Sequence, residues 1–208
     1  MEALSTNKAQ GCFGTASATF TYARGGHVDL RKQILPAILS FIAAVLGALL
    51  ISILPTEMIR WLLPILLVGI ALFFWRNKSL DDSDRQQRIS GGAFVWLIVP
   101  LIGAYDGFIG PGTGSFFMLA LVTLMGQGVL KATAHTKLLN FASNFGGLVG
   151  FTLVITPWWW TALAMGAAQI VGAQIGARLA VKRGAKVIKP LLVISTSAMA
   201  AKLIWDLI

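Results

Sequence analysis

The chain has 208 residues, of which 56% are hydrophobic and only 12% charged, with a formal net charge of +9. A soluble domain carries about 25% charged residues, so the composition excludes an ordinary soluble enzyme and points to a polytopic membrane protein. The lysines and arginines fall in short loops between apolar runs, as orientation signals and headgroup contacts do, and no nucleic-acid-binding module is visible, so no nucleic-acid partner is expected. The single cysteine, Cys12, excludes an internal disulfide and a multi-cysteine metal site.

A membrane-spanning helix needs about 20 apolar residues. Candidate spans run over residues 4–23, 33–54, 60–76, 92–110, 113–130, 132–152, 157–181 and 189–207. The predicted fold class is therefore an all-α integral membrane protein, a polytopic helix bundle. The polar stretch Arg76 to Ser90 reads as a solvated connector between halves. Met1 to Thr6 lacks the features of a signal peptide.

The halves are related. A shift of 129 residues places Lys8 on Lys137, Gly47-Ala48 on Gly176-Ala177, Arg60 on Lys189 and Leu62-Leu63 on Leu191-Leu192. Internal repeats of this kind are characteristic of secondary transporters. The loop around Arg24, Arg31 and Lys32 is basic, whereas its counterpart around Trp158-Trp159-Trp160 is uncharged. Conversely, the loop near Glu57 is poor in charge and its counterpart carries Lys182, Arg183, Lys186 and Lys189. Basic loops prefer the cytoplasm, so matching loops lie on opposite sides and the two repeats are inverted. That scheme has 92–110 and 113–130 both crossing. Residues 92–130 have no counterpart in the first half. The expected organisation is a first repeat over 1–76 lacking two segments, a cytoplasmic connector over 77–91, and a second repeat over 92–208. A chain truncated at its N-terminus is the corresponding expectation.

The functional centre is expected at Gly103 to Ser115. It carries a membrane carboxylate, Asp106, and a helix-breaking run, Gly110-Pro111-Gly112-Thr113-Gly114. Charge and unwound backbone are tolerated in a bilayer only beside protein or a water-filled cavity. Asp106 is the candidate proton-coupling group. The helix that restarts at Gly112, Thr113, Gly114 and Ser115 offers free N–H groups to an anion. The run is not a phosphate-binding P-loop, since no lysine follows its last glycine.

Lys8 and Lys137 are repeat-related cations among polar residues, and they are candidates for an anion clamp. Lys137, Asn140 and Asn144 share one helix face, which should point into the bundle. Gly146/Gly150 and Gly172/Gly176 have the small-xxx-small spacing of close helix packing. Gln169 and Gln174 are candidates to line a path, and the three consecutive tryptophans read as an interfacial belt. A second membrane carboxylate for a protease dyad, a His-Glu-x-x-His zinc site and a Gly-x-Ser-x-Gly elbow are all missing from the sequence. The expectation is therefore no enzyme, no cofactor and no metal.

At these residues the chain resembles the TauE/SafE family of membrane transporters, also called sulfite exporters, and most of all its YfcA-type branch. The resemblance rests on Gly103–Ser115, Ala132–Asn144, Thr6-Asn7-Lys8 and Gly172–Arg178 and covers essentially the whole chain. It places a further Asp- and glycine-rich segment ahead of the Thr-Asn-Lys. It implies a secondary transporter of the bacterial inner membrane that moves small sulfur-containing or organic anions, such as sulfite or sulfoacetate, with coupling to protons. The partners implied are the small anion and the lipid bilayer, with homo-oligomerisation open. An anion channel and a non-transporting membrane scaffold are the alternatives.

Overall fold

The computed structural model describes residues 2–51, 57–77 and 80–206; for 57–62 it describes backbone only. Among these residues eight helices follow one another: α1 (Glu2–Arg24), α2 (Leu30–Leu50), α3 (Glu57–Arg76), α4 (Gly91–Phe108), α5 (Thr113–Thr123), α6 (Val129–Thr152), α7 (Trp159–Arg183) and α8 (Ala185–Trp205). Among the described residues there is no strand. Three helices of the described residues, α2, α4 and α8, are long and apolar enough to cross a membrane.

α1 and α6 are less apolar because their polar stripes face inward. In α1 the buried set includes Ser5, Thr6, Lys8, Gln10, Thr15 and Thr19. The outer surface carries large apolar side chains instead, among them Ile38, Ile42, Leu46, Leu72, Trp75, Leu101 and Ile175. Apolar outside and polar inside is the arrangement that a hydrocarbon solvent favours. Trp158, Trp159 and Trp160 are all exposed where α7 begins, as an interfacial belt requires.

The repeat is visible in the packing. α1 lies along α7 as α6 lies along α2, and the shift of 129 residues relates these pairs. α1 and α6 cross in opposite directions: Thr6, at the start of α1, accepts from Trp158 N–H at 3.0 Å, just beyond the end of α6. α3 and α8 are likewise antiparallel, with Leu67 near Ala200 and Asn77 near Lys189. The two copies are thus inverted.

α4 and α5 form a hairpin. The chain entering α4 meets the chain leaving α5, where Arg88 N–H donates to Leu124 C=O at 2.8 Å. Inside α4, one π-turn over Phe94–Ile98 widens the helix. It precedes Pro100, which has no N–H to give to the Trp96 carbonyl. The expected crossing over 113–130 is not what the structure shows. α5 stops at Thr123, before Gly126 and Gly128, and 11 residues span only about 16 Å of a roughly 30 Å hydrocarbon core. Because a hairpin returns the chain to the side it left, inversion of the repeats survives this correction.

The connector is also more than solvated chain. Asp82 Oδ1 accepts from Leu130 N–H at 2.9 Å in the first turn of α6, and Asp82 Oδ2 accepts from Ala185 N–H at 3.0 Å at the start of α8. Asp84 accepts from Gly128 N–H at 2.9 Å and pairs with Lys131 at 2.5 Å. Lys189 donates to the Asn77 and Leu80 carbonyls at 2.8 and 3.0 Å. One short exposed loop therefore staples the N-terminal ends of two helices, satisfying amides that have no intrahelical partner. Gly184 fits the joint because its φ is +54° and a Cβ there would lie 2.0 Å from Asp82 Oδ2.

Candidate anion and proton site

The site forms where α1, α6 and the α4–α5 turn meet. Lys8 reaches it from α1 because Gly147 of α6 leaves a channel for its stem; a Cβ at Gly147 would sit 3.1 Å from Lys8 Cδ. Lys8 Nζ lies 2.6 Å from Asp106 Oδ1, and the two side chains are 1% and 2% exposed. Thr113 donates to the same oxygen at 2.9 Å. Asn140 donates to Asp106 Oδ2 at 3.2 Å, and the Ser143 hydroxyl is hydrogen-bonded there too. A buried carboxylate thus has a cation and three neutral donors, the full set of partners that a desolvated charge requires.

The turn is built to allow this. Gly110 has φ +91°, and a Cβ would lie 2.5 Å from Lys8 Nζ and 3.0 Å from Asp106 Oδ1. Only glycine satisfies both the left-handed backbone and the approach of the ion pair. The Tyr105 hydroxyl is bonded to the Pro111 carbonyl, and its ring meets Phe116 edge-on at 5.1 Å, which ties the end of α4 to the start of α5. Two amides expected to face an anion are engaged within the turn: Thr113 N–H with Gly110 C=O at 3.2 Å, and Ser115 N–H with Gly112 C=O at 2.8 Å.

A cavity of about 280 Å³ opens beside the ion pair. Lys8, Asp106, Gly112, Thr113, Gly114, Lys137, Asn140 and Asn144 all line it, together with Gln10 and Gln169. Ser115 does not. The Lys137, Asn140 and Asn144 face therefore turns toward the cavity. Lys137 has no hydrogen-bond or ion-pair partner among the described residues, in contrast to its repeat mate Lys8. Gln169 donates to Gln10 Oε1 at 2.9 Å and Gln10 donates to Asn7 at 2.7 Å, forming a polar chain along the wall.

His135 is buried away from this cavity, with Nδ1 2.8 Å from Gln127 Oε1. Gly146 and Gly150 pack tightly on α2, where Cβ atoms would meet the Phe41 carbonyl at 2.2 Å and Ala48 Cβ at 2.7 Å. Gly172 and Gly176 do not pack among the described residues, where nothing lies within 4 Å of either Cβ position. The packing reading of that second pair is corrected, and both glycines line an open groove. Two partners of Asp106, Thr113 and Ser143, matter more for its charge than sequence reasoning allowed. The only signal for Ser143 was its place beside Asn140 and Asn144.

An inverted-repeat helix bundle with an apolar exterior, a hairpin broken inside it and an ion pair lining a polar cavity has the architecture of a membrane carrier. Comparison with known proteins agrees. The family described as Sulfite exporter TauE/SafE matches residues 1–203, and the chain belongs to that family of membrane transporters. A Sinorhizobium protein named "Probable membrane transporter protein ORF9" is 52% identical over 206 residues, covering 99% of this chain and 79% of the relative. The Escherichia coli K12 "Probable membrane transporter protein YfcA" is 43% identical, covering 98% of this chain and 76% of the relative. A Haemophilus influenzae protein, "Probable membrane transporter protein", is 40% identical, covering 98% and 80%. No solved structure matches significantly.

Proposed function

We propose that the protein is a proton-coupled secondary transporter of small sulfur-containing or organic anions, of the sulfite or sulfoacetate kind. The observation that carries this reading is one cavity lined by two repeat-related lysines, only one of which is neutralised by a carboxylate. With Asp106 ionised, Lys8 is paired and Lys137 is the cation facing the cavity. When Asp106 takes a proton, the charge holding Lys8 is removed and a second cation becomes available. Anion and proton then occupy the site together, which is the requirement for coupling. Asn140 and Asn144 supply neutral donors, and the dipole at the start of α5 favours an anion in the same space even with the Thr113 and Ser115 amides engaged within the turn.

The family's printed description, sulfite exporter, supports an anionic sulfur substrate. The end of the bundle that gathers Arg24, Arg31, Lys32, Arg76, Arg85, Arg88, Lys131, Lys182 and Lys186 faces the cytoplasm of a bacterial inner membrane, with the chain crossing several times. The functional division follows the repeat: residues 1–76, a connector over 77–91, and 92–208.

Reconstitution in proteoliposomes with radiolabelled sulfite tests this reading. An imposed pH gradient should drive saturable accumulation. Asp106→Asn should abolish gradient-driven accumulation and Lys137→Gln should reduce both accumulation and exchange. Unchanged sulfite flux in Lys137→Gln would sink the site, and saturable flux of other anions without sulfite would replace the substrate class.

A further inference from the structure

Two cavities lie end to end along the seam between α3 and α8. One, of about 460 Å³, is walled by Val68, Leu72 and Trp75 of α3 and by Val193, Ala201 and Ile204 of α8. The other, of about 410 Å³, lies at the basic end of the bundle, against Asp81, Lys186, Lys189 and Pro190. Trp75 lines both and joins them. The α8 wall is continuous as well: Lys186, Pro190, Val193, Ser197 and Ile204 recur at helical spacing on one face.

The chemistry changes along this seam. From Val193 to Ile204 the described lining carries no charged side chain. That stretch extends about 16 Å, close to half of a roughly 30 Å hydrocarbon core and so to one leaflet. Trp75 is 65% exposed near the end of α3, and an indole suits the boundary between hydrocarbon and headgroups. Beyond it the described lining has two lysines and one carboxylate. The Lys189 ammonium is fixed at the wall by the Asn77 and Leu80 carbonyls, and Asp81 accepts from the Ser83 amide at 3.1 Å. Lys186 lines the same cavity and is exposed. The balance is positive where a bilayer places its phosphates.

The two ends of the seam differ. By the 129-residue shift Val68, Ala71, Leu72 and Trp75 correspond to Ser197, Ala200, Ala201 and Ile204, so the apolar groove lies across the axis that relates the repeats. At the far end Ile204 stands for Trp75 and Glu57 for Lys186. Repeat symmetry gives the groove to both ends, and the sequence gives the indole and this lysine to the basic end alone.

We propose that this seam binds one anionic phospholipid. Its phosphate sits at Lys186 and Lys189, its glycerol backbone rests against Trp75, and one acyl chain fills the α3–α8 groove. The groove alone would take a chain of any lipid. The lysines select an anionic headgroup, because a basic pocket at a helix end attracts phosphate that no amine of the same headgroup neutralises. The occupant is a lipid, neither a free phosphate nor a protein, and its binding does not depend on the transported substrate.

Native mass spectrometry of the detergent-purified full chain tests this, with phosphatidylglycerol and phosphatidylcholine of identical acyl chains as probes. Phosphatidylglycerol should be held more tightly. Lys186→Gln should weaken it about five-fold, the contribution of one basic residue near an anionic surface, and Lys186→Arg should restore it. Arg31→Gln removes an exposed cation at the same end, on α2, and should leave binding unchanged. Ser197→Trp fills the groove from an exposed position and should weaken both lipids. Excess glycerol phosphate should not displace the lipid. Equal retention of the two lipids, or equal losses in Lys186→Gln and Arg31→Gln, overturns the proposal in favour of unselective lipid contact. Displacement by glycerol phosphate overturns it in favour of a free-phosphate site, and undiminished binding in Ser197→Trp overturns the seating of the chain.

Discussion

Lys8 and Asp106, 98 positions apart in sequence, meet at 2.6 Å in the interior of the bundle. Removing one member of a buried pair leaves the other charge uncompensated, at a cost of about 3–5 kcal/mol. Lys8→Met should therefore destabilise the protein strongly, as a fall in Tm in detergent. Asp106→Asn keeps the hydrogen bonds of Thr113 and Ser143 but strands the lysine. The double variant Lys8→Met/Asp106→Asn should recover much of the loss, since no lone charge remains. A double variant as unstable as the sum of the singles would show that the pair does not interact across the interior.

Lys137 should behave differently from Lys8. It has no described ion-pair partner, so Lys137→Met removes a desolvated charge without orphaning another. Stability should hold or rise, while affinity for an anion of the proposed class falls about 10- to 100-fold, the range of one charge-assisted hydrogen bond of about 1.5–3 kcal/mol. Thermal unfolding and substrate-protection assays on the same preparation separate the two effects.

Gly110→Ala tests the turn. At φ +91° a Cβ brings a left-handed strain of roughly 1–2 kcal/mol and a clash with Lys8 Nζ. Both transport and Tm should drop. Gly172→Ala, in open space, should leave both near wild type in the chain as it stands.

The stapled connector supplies a test at the basic end. Asp82→Ala leaves amides at the starts of α6 and α8 without their acceptor, at about 1 kcal/mol for each lost cap. Hydrogen exchange should rise at Leu130 and Ala185 and remain slow at Asn140.

Asp84 gives the same region a pH dependence. Its carboxyl is held below the usual range first by the hydrogen bond from Lys131 and then by the Gly128 amide. The sign follows from linkage. A depressed carboxylate stabilises the fold above its unfolded value, near pH 4, and loses that contribution as pH falls through the lower folded value. The pair is half exposed, so the effect is about 1 kcal/mol or less. Asp84→Asn should flatten a Tm–pH curve below about pH 4 and leave the neutral range little changed.

The helices, their inversion and the special character of Asp106 were legible because hydrocarbon imposes simple rules on length, charge and broken backbone. The kinship of Lys8 and Lys137 was legible because a cation in an apolar run is rare enough to align. Their unequal pairing was not. No local pattern records that Lys8 crosses to α4 while Lys137 faces open space, since that depends on which helix covers each repeat. The short α5 is not legible because Leu124, Met125 and Val129 prolong the apolar run around Gly126, Gln127 and Gly128, while its end is set by Gly126 and the connector's backbone bonds. Asp82 was read as a solvated charge because its capping partners lie 48 and 103 residues away. Gly172 and Gly176 have the spacing of a packing motif, yet spacing names a surface that can receive a helix and not whether one is there.

The shortness of α5 has an electrical consequence. Eleven residues from the basic end, about 16 Å, the chain turns back beside Asp106. In the proposed proton-coupled cycle, a proton that reaches Asp106 from either face crosses only part of the membrane voltage. At about 2.3 kcal/mol per elementary charge per 100 mV, even a fraction of the membrane voltage adds to the driving force on a coupled proton. Proton-coupled flux of the proposed kind should then respond to voltage at fixed pH, which flux measurements in proteoliposomes under an imposed potential check.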